Sequence, residues 1–280
     1  MRISIVPPVI MELTEFFRYG FLQRALIAGS FIGILCSTLG VFLVLRRFSL
    51  IGDGLAHATF GSVALALLLK MSPLYVSIPI VMVCSVGILR LTERARLYGD
   101  AAIGVVSSLG IAVGVMLSSI ASGFNIDLFS YLFGSILSIS EAEVFISVIL
   151  SVLVILMIVF YYNELLSITF DEDSAKTSGI NTQSINTLFV LLTAVTVVLS
   201  MKVVGIMLIS ALLIFPAVTA LQIARSFKAV MLTASLSALV SVVSGIVASF
   251  FLDVPTGATI VLINFIFFLA SLTYKRIMRV

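Results

Sequence analysis

The chain is built of long apolar stretches separated by short polar breaks, and within a stretch polarity does not alternate residue by residue. "FISVILSVLVILMIVF" (145–160) is representative. A membrane β-barrel strand would alternate lipid-facing with lumen-facing residues. Apolar runs of about 20 residues instead predict helices that cross a bilayer, because such a helix must satisfy all its own backbone groups. The pattern predicts an all-α polytopic membrane protein with about eight or nine spans of roughly 17–25 residues. They fall at 22–45, 50–69, 74–91, 101–121, 143–162, 185–201, 205–222, 229–252 and 257–274, in one transmembrane domain over 1–280. The break near 202, "SMKVVG" (200–205), offers one charge and one glycine, whereas "LDVPTG" (252–257) combines Asp, Pro and Gly, which punctuate a helix.

One apolar segment is too short for this series. "IDLFSYLFGSILSIS" (126–140) has the length of a re-entrant or interfacial piece. If it does not cross, Arg46, Arg47, Arg90, Arg94, Arg96, Lys176, Arg225, Lys228, Lys275, Arg276 and Arg279 fall on one side. Lys70, Lys202, Arg2, Arg18 and Arg24 fall on the other. The crowded side is then the cytoplasm, which puts the C-terminus inside and the start of the first span outside. If it did cross, the basic residues of the second half would lie outside.

Composition agrees with the pattern. The 280 residues are 61% hydrophobic and 10% charged, with a mean hydropathy of +1.29. That leaves too little charge to cover a soluble domain. The net charge of +3 reads as membrane topology and gives no reason to expect nucleic acid. Cys36 and Cys84 sit in separate apolar runs and read as small hydrophobes. "MRISIVPPVIM" (1–11) is interrupted by Pro7 and Pro8 and shows no cleavage site, so an interfacial segment is expected there.

The longest polar stretch is "NELLSITFDEDSAKTSGINTQS" (163–184). Thr169 and Glu172 have the spacing of a capping box. Asp171, Glu172 and Asp173 suit the positive end of a helix dipole. Lys176 falls in the last turn and Gly179 at the stop. These features predict a short helix over 170–178 on the cytoplasmic face. It is either a solvated connector or a docking element for a cytoplasmic partner. The chain carries no GxxxxGK[ST] phosphate loop, so ATP-driven transport would need its ATPase on another polypeptide.

The candidate chemistry lies in "SLIGDGLAHATFG" (49–61). Asp53 is the acid that falls inside a predicted span, and His57 is the only histidine. Residues four apart share a helix face. A carboxylate in a membrane helix costs roughly 2.5–3.5 kcal/mol on insertion scales. Three readings stay open on these residues alone: a structural Asp–His hydrogen bond, a proton relay, and a divalent-metal site. Two ligands are too few for a tight site; a homodimer with the pair near its two-fold axis would bring two Asp and two His together. Gly52, Gly54 and Gly61 allow close backbone approach at a site, or serve helix packing. "GVVSSLGIAVG" (104–114) reads as packing.

The segment "RRFSLIGDGLAHATFGSVALALLL" (46–69) resembles the signature of the zinc/manganese-type permease subunits of ATP-binding-cassette metal importers, where basic residues precede "SLIGDALSHA" and "PGVALA". The chain matches at Gly52, Asp53, His57 and Ala58 and departs at Gly54, beside His57 at Ala56, and at Phe60. "DLFSYLFGSILSIS" (127–140), "DEDSAKTSGIN" (171–181) and "SMKVVGIMLISALLIFPAVTA" (200–220) are also similar to the family. The resemblance implies a homodimeric permease of the prokaryotic plasma (inner) membrane, not itself an enzyme. Two cytoplasmic ATPase subunits and an extracytoplasmic metal-binding protein are its implied partners. It implies Asp53 and His57 as ligands of the ion in transit. It implies that Asp171, Glu172, Asp173, Ser174, Ala175, Lys176 and Gly179 form the helix that couples to the ATPase. Zinc is favoured as cargo, with manganese or iron the alternatives, and no permanently bound cofactor is expected. The alternative function is a proton-coupled secondary metal transporter, motivated by the same ionisable pair.

Overall fold

The computed structural model describes residues 19–93, 98–120, 126–135 and 139–278. The interfacial segment expected at 1–11 lies outside them, as do Arg94 and Arg96. Among the described residues every regular element is helical, and nine helices are long and apolar enough to cross a membrane.

The first four long helices are α1 (Gly20–Leu45), α2 (Ile51–Leu68), α3 (Pro73–Glu93) and α4 (Gly99–Ile120). A short helix α5 (Ile126–Phe133) precedes α6 (Glu141–Phe160). The polar stretch holds α7 (Tyr162–Phe170) and α8 (Glu172–Thr177). The chain ends with α9 (Thr182–Ser200), a 3-10 turn (Ile206–Leu208) leading into α10 (Ile209–Ile223), α11 (Phe227–Leu252) and α12 (Thr256–Met278). Each predicted span is recovered, most with ends shifted by one to three residues. One shift has a clear cause. The helix expected from 143 starts at Glu141, because Ser140 and Glu143 form a capping box: the Glu143 N–H donates to Ser140 Oγ at 3.3 Å, and the Ser140 N–H donates to Glu143 Oε2 at 2.9 Å.

The centre is formed by α1, α2 and α9, whose apolar windows are 72%, 72% and 67% buried, against 17% for α4 and 22% for α6. Small residues set how closely the helices approach. Gly29 and Gly33 of α1 meet Val242 and Ala238 of α11, so these two run antiparallel. Gly54 and Gly61 of α2 meet Ile103 and Gly110 of α4, so those two run parallel. At the closest point a Cβ on Gly110 would lie 2.5 Å from the His57 carbonyl oxygen. Gly52 in turn packs on Leu213 of α10. The glycines around the Asp–His pair are therefore helix-packing residues.

The bundle has two chemically different ends. Arg46, Arg47, Arg90, Arg225, Lys228, Lys275 and Arg276 lie at the end shared with α7 and α8, which is the basic end. At the opposite end Arg24 pairs with Glu141 at 3.3 Å and Lys202 with Glu143 at 2.7 Å. Of the segment 126–140, the described residues 126–135 and 139–140 belong to that opposite end, and the helix among them does not cross. This eight-residue helix is about 12 Å long, far short of a bilayer core of about 30 Å. It ends at Gly134, with φ +77°, against the backbone of Val203, Val204 and Gly205. The Ser135 N–H donates to the Lys202 carbonyl at 3.0 Å. Gly205, at φ +91°, forms the other half of the contact and makes the sharp turn between α9 and the 3-10 helix.

Candidate functional site

Asp53 is the third residue of α2 and His57 lies one turn further on. The carboxylate sits in the first helical turn, where the free N–H groups and the helix dipole favour negative charge. It is nearer the end of the span than its predicted boundaries suggest, and its side chain is 50% exposed while that of His57 is 18% exposed. His57 Nε2 and Asp53 Oδ2 are 3.6 Å apart, beyond a good hydrogen bond. His57 Nδ1 is buried without a hydrogen-bond partner. The pair shares a face without being locked together, so a structural Asp–His hydrogen bond does not describe it.

A third side chain reaches the pair from a distant part of the chain. Ser210 Oγ, at the start of α10, donates to Asp53 Oδ1 at 3.4 Å. Its only signal in sequence was a hydroxyl in an apolar run, which did not say what it faced. Among the described residues no three of His, Cys, Asp and Glu come together. The separation of 3.6 Å is close to the ligand–ligand edge of about 3.4 Å that a tetrahedral ion with bonds of about 2.1 Å would require. One chain thus offers one carboxylate oxygen and one imidazole nitrogen, with the carboxylate held by a serine.

The polar stretch folds differently from expectation at its start. Asp171, not Thr169, caps α8: the Ser174 N–H donates to Asp171 Oδ1 at 2.9 Å. Thr169 lies in the last turn of α7, a helix additional to the one expected over 170–178, and its hydroxyl donates to the Leu165 carbonyl at 2.6 Å. The two-helix arrangement wins because Asp171 is extended (φ −155°, ψ 101°) and breaks the helix between Phe170 and Glu172. The end of α8 is as expected. Gly179 adopts φ +88°, with the Gly179 N–H on the Lys176 carbonyl and the Ile180 N–H on that of Ala175. These two bonds make a Schellman stop. Asp171, Glu172, Asp173, Ser174, Lys176 and Gly179 are exposed, while Ala175 faces inward.

Two further residues hold this element, and neither stood out in the sequence. Arg46, just after α1, donates from Nε to Thr169 Oγ1 at 3.1 Å and from Nη1 to Asn186 Oδ1 of α9 at 3.0 Å. Asn186 Nδ2 donates in turn to Glu172 Oε1 at 3.0 Å. The guanidinium lies 4.7 Å from the centre of the Phe189 ring, a cation–π distance. Burial pushes the Arg46 guanidinium down to about 10, and the charge of Glu172 opposes that shift, so it stays charged at neutral pH. Phe227 of α11 seats the same region between Phe42, Tyr162 and Phe170.

Most of the chain is matched by relatives. The ABC 3 transport family matches residues 18–275. The manganese transport system membrane protein MntC of Listeria innocua is 33% identical, covering 91% of each chain. The high-affinity zinc uptake system membrane protein ZnuB of Haemophilus influenzae is 29% identical, covering 92% of this chain and 98% of that one. In the solved structure of PsaBC from Streptococcus pneumoniae in complex with Fab, one chain superimposes with a TM-score of 0.85 at 32% identity. The match covers 94% of this chain and 95% of that one.

Proposed function

We propose, from the premise that the chain belongs to the ABC 3 transport family and is the membrane permease of a metal importer, that Asp53 and His57 hold the ion in transit. The observation that carries this reading is their spacing on one face of α2, 3.6 Å between Oδ2 and Nε2, close to what one bound ion would span. Ser210 orients the carboxylate. A permease of this family is not itself an enzyme: its ATPase is a separate subunit, and a binding protein delivers the ion.

The site works best when incomplete. Two donors from one chain bind an ion loosely, and water completes the shell. A second copy across a two-fold axis supplies a second Asp53 and His57 and approaches the four-coordinate set that zinc prefers. We take the permease to be such a homodimer. Oxygen and nitrogen donors together suit both zinc and manganese, and the two relatives named above carry one each.

The basic end faces the cytoplasm of a prokaryotic inner membrane, following the positive-inside rule, and the C-terminus lies there. The exposed acids of α8, with Ser174, Lys176 and the Gly179 stop, dock the ATPase. The proton-coupled alternative draws no support from kinship with ATP-driven importers.

The test is uptake of radiolabelled zinc and manganese by the permease reconstituted with its ATPase and binding protein. Asp53→Ala and His57→Ala should each abolish uptake while the complex still assembles. Unchanged uptake in either variant would remove that residue from the pathway.

A further inference from the structure

Between the two elements that the transport reading joins lies a continuous polar chain. It runs from Glu172 on α8 through the Asn186 amide on α9 to Arg46 at the end of α1. Arg46 also holds Thr169 of α7. Asn186 uses both faces of its amide, the oxygen as acceptor and the nitrogen as donor, so neither contact can be dropped by flipping the group without losing the other.

On its far side Arg46 is tied to the metal-site helix by a short and stiff piece of backbone. Arg47 takes the left-handed conformation at φ +56°. The Arg47 N–H bonds the Val44 carbonyl at 3.1 Å, and the Phe48 N–H bonds that of Leu43 at 2.9 Å, a Schellman stop. The Ile51 N–H then bonds the Phe48 carbonyl at 3.2 Å, and the Asp53 N–H that of Leu50 at 3.1 Å. Backbone hydrogen bonds therefore pin the path from Arg46 to Asp53 almost residue by residue. Beside the polar chain, on the side of α3, a cavity of about 390 Å³ is lined by Phe48, Thr92, Glu93 and Phe170. It leaves room for α7 and α8 to shift against that side.

Resting on the reading that α8 docks the ATPase, we propose that Arg46 is a positioning residue that transmits movement of α8, through Asn186, to the first turn of α2 and its carboxylate. A planar fork with two fixed donors does this where a flexible ammonium would not. The link acts through Asp53 and does not touch the ion.

The experiment uses the full complex in liposomes and reads metal taken up per ATP hydrolysed. Asn186→Asp keeps an acceptor for Arg46 but sets a carboxylate against Glu172. Combined with Glu172→Gln, the donor and acceptor exchange places and the chain is whole again. Asn186→Asp and Arg46→Lys should lower uptake per ATP about tenfold, the scale of a typical coupling between sites. Glu172→Gln alone keeps an oxygen acceptor for the Asn186 amide and sets the level that remains when this docking acid loses its charge; Asn186→Asp/Glu172→Gln should return to that level. A purely structural network would lower the yield of complex and leave uptake per ATP unchanged in every variant, and that result overturns the proposal. A double variant no better than Asn186→Asp alone, where Glu172→Gln alone transports well, also overturns it. A cross-link from Ser174→Cys to the ATPase in the otherwise unaltered permease separates the two claims. Its absence refutes docking at α8, while its presence with unchanged uptake per ATP refutes only the link.

Discussion

Ser210 of α10 donates its hydroxyl to Asp53 of α2 across 3.4 Å, joining two helices that lie 157 residues apart in sequence. The contact fixes one carboxylate oxygen and leaves the other toward His57. It depends on α10 beginning late, after the Gly205 turn and the 3-10 helix, so that Ser210 meets the first turn of α2.

Ser210→Ala removes this orientation without removing a ligand. A hydrogen bond to a charged group at this length should contribute enough to raise the half-saturating metal concentration about three- to tenfold, with little change in maximal rate. Uptake measured against metal concentration in the reconstituted complex checks this. An unchanged half-saturation point would mean that the serine only fills space.

The contact between Gly134 and Gly205 is a stability determinant at the opposite end. Gly205 has φ +91°, and a Cβ there would run into the backbone of Phe133 and Gly134. Gly205→Ala should lower stability by about 3 kcal/mol. Gly20→Ala is the control, because a Cβ at Gly20 meets nothing within 4 Å. Thermal melting of the two variants in detergent separates them, and coincident curves would refute the strain argument.

The cap of α8 can be assigned by two substitutions. Asp171→Ala should weaken the helix by about 1 kcal/mol, seen as faster amide exchange over 172–178. Thr169→Val, which keeps the shape and loses the hydroxyl, should leave that exchange unchanged while releasing one arm of Arg46. The reverse pattern would restore the Thr169–Glu172 capping box.

Lys202 and Glu143 pair at 2.7 Å with side chains only 18% and 20% exposed. Lys202 also lies 5.2 Å from the Tyr131 ring of α5. Lys202→Met alone leaves a largely desolvated carboxylate and should cost about 3 kcal/mol. Adding Glu143→Gln should return much of that. Denaturation of the single and double variants measures the coupling, and strictly additive effects would argue against a pair.

Much of this protein is legible from the chain alone, because a bilayer leaves little choice. An apolar run of sufficient length must be a helix, since every backbone N–H and C=O must be satisfied within it. The nine candidate spans among the described residues, the short helix Ile126–Phe133 that does not cross, the crowding of basic residues at one end and the Gly179 stop all follow from local pattern. The Asp53–His57 pairing follows as well, because four residues make one turn of one helix. What the tertiary structure decided is everything that depends on which helix stands beside which. Apolar patterning does not encode neighbours when lipid and protein interior are equally apolar. Thus Ser210 joining Asp53, Gly110 pressing on the His57 backbone and Arg46 reaching Thr169 and Asn186 appear only in three dimensions. The displaced cap has the same origin. Thr169 had the right spacing for a local motif, but its hydroxyl turns back to Leu165 and receives Arg46 from another helix.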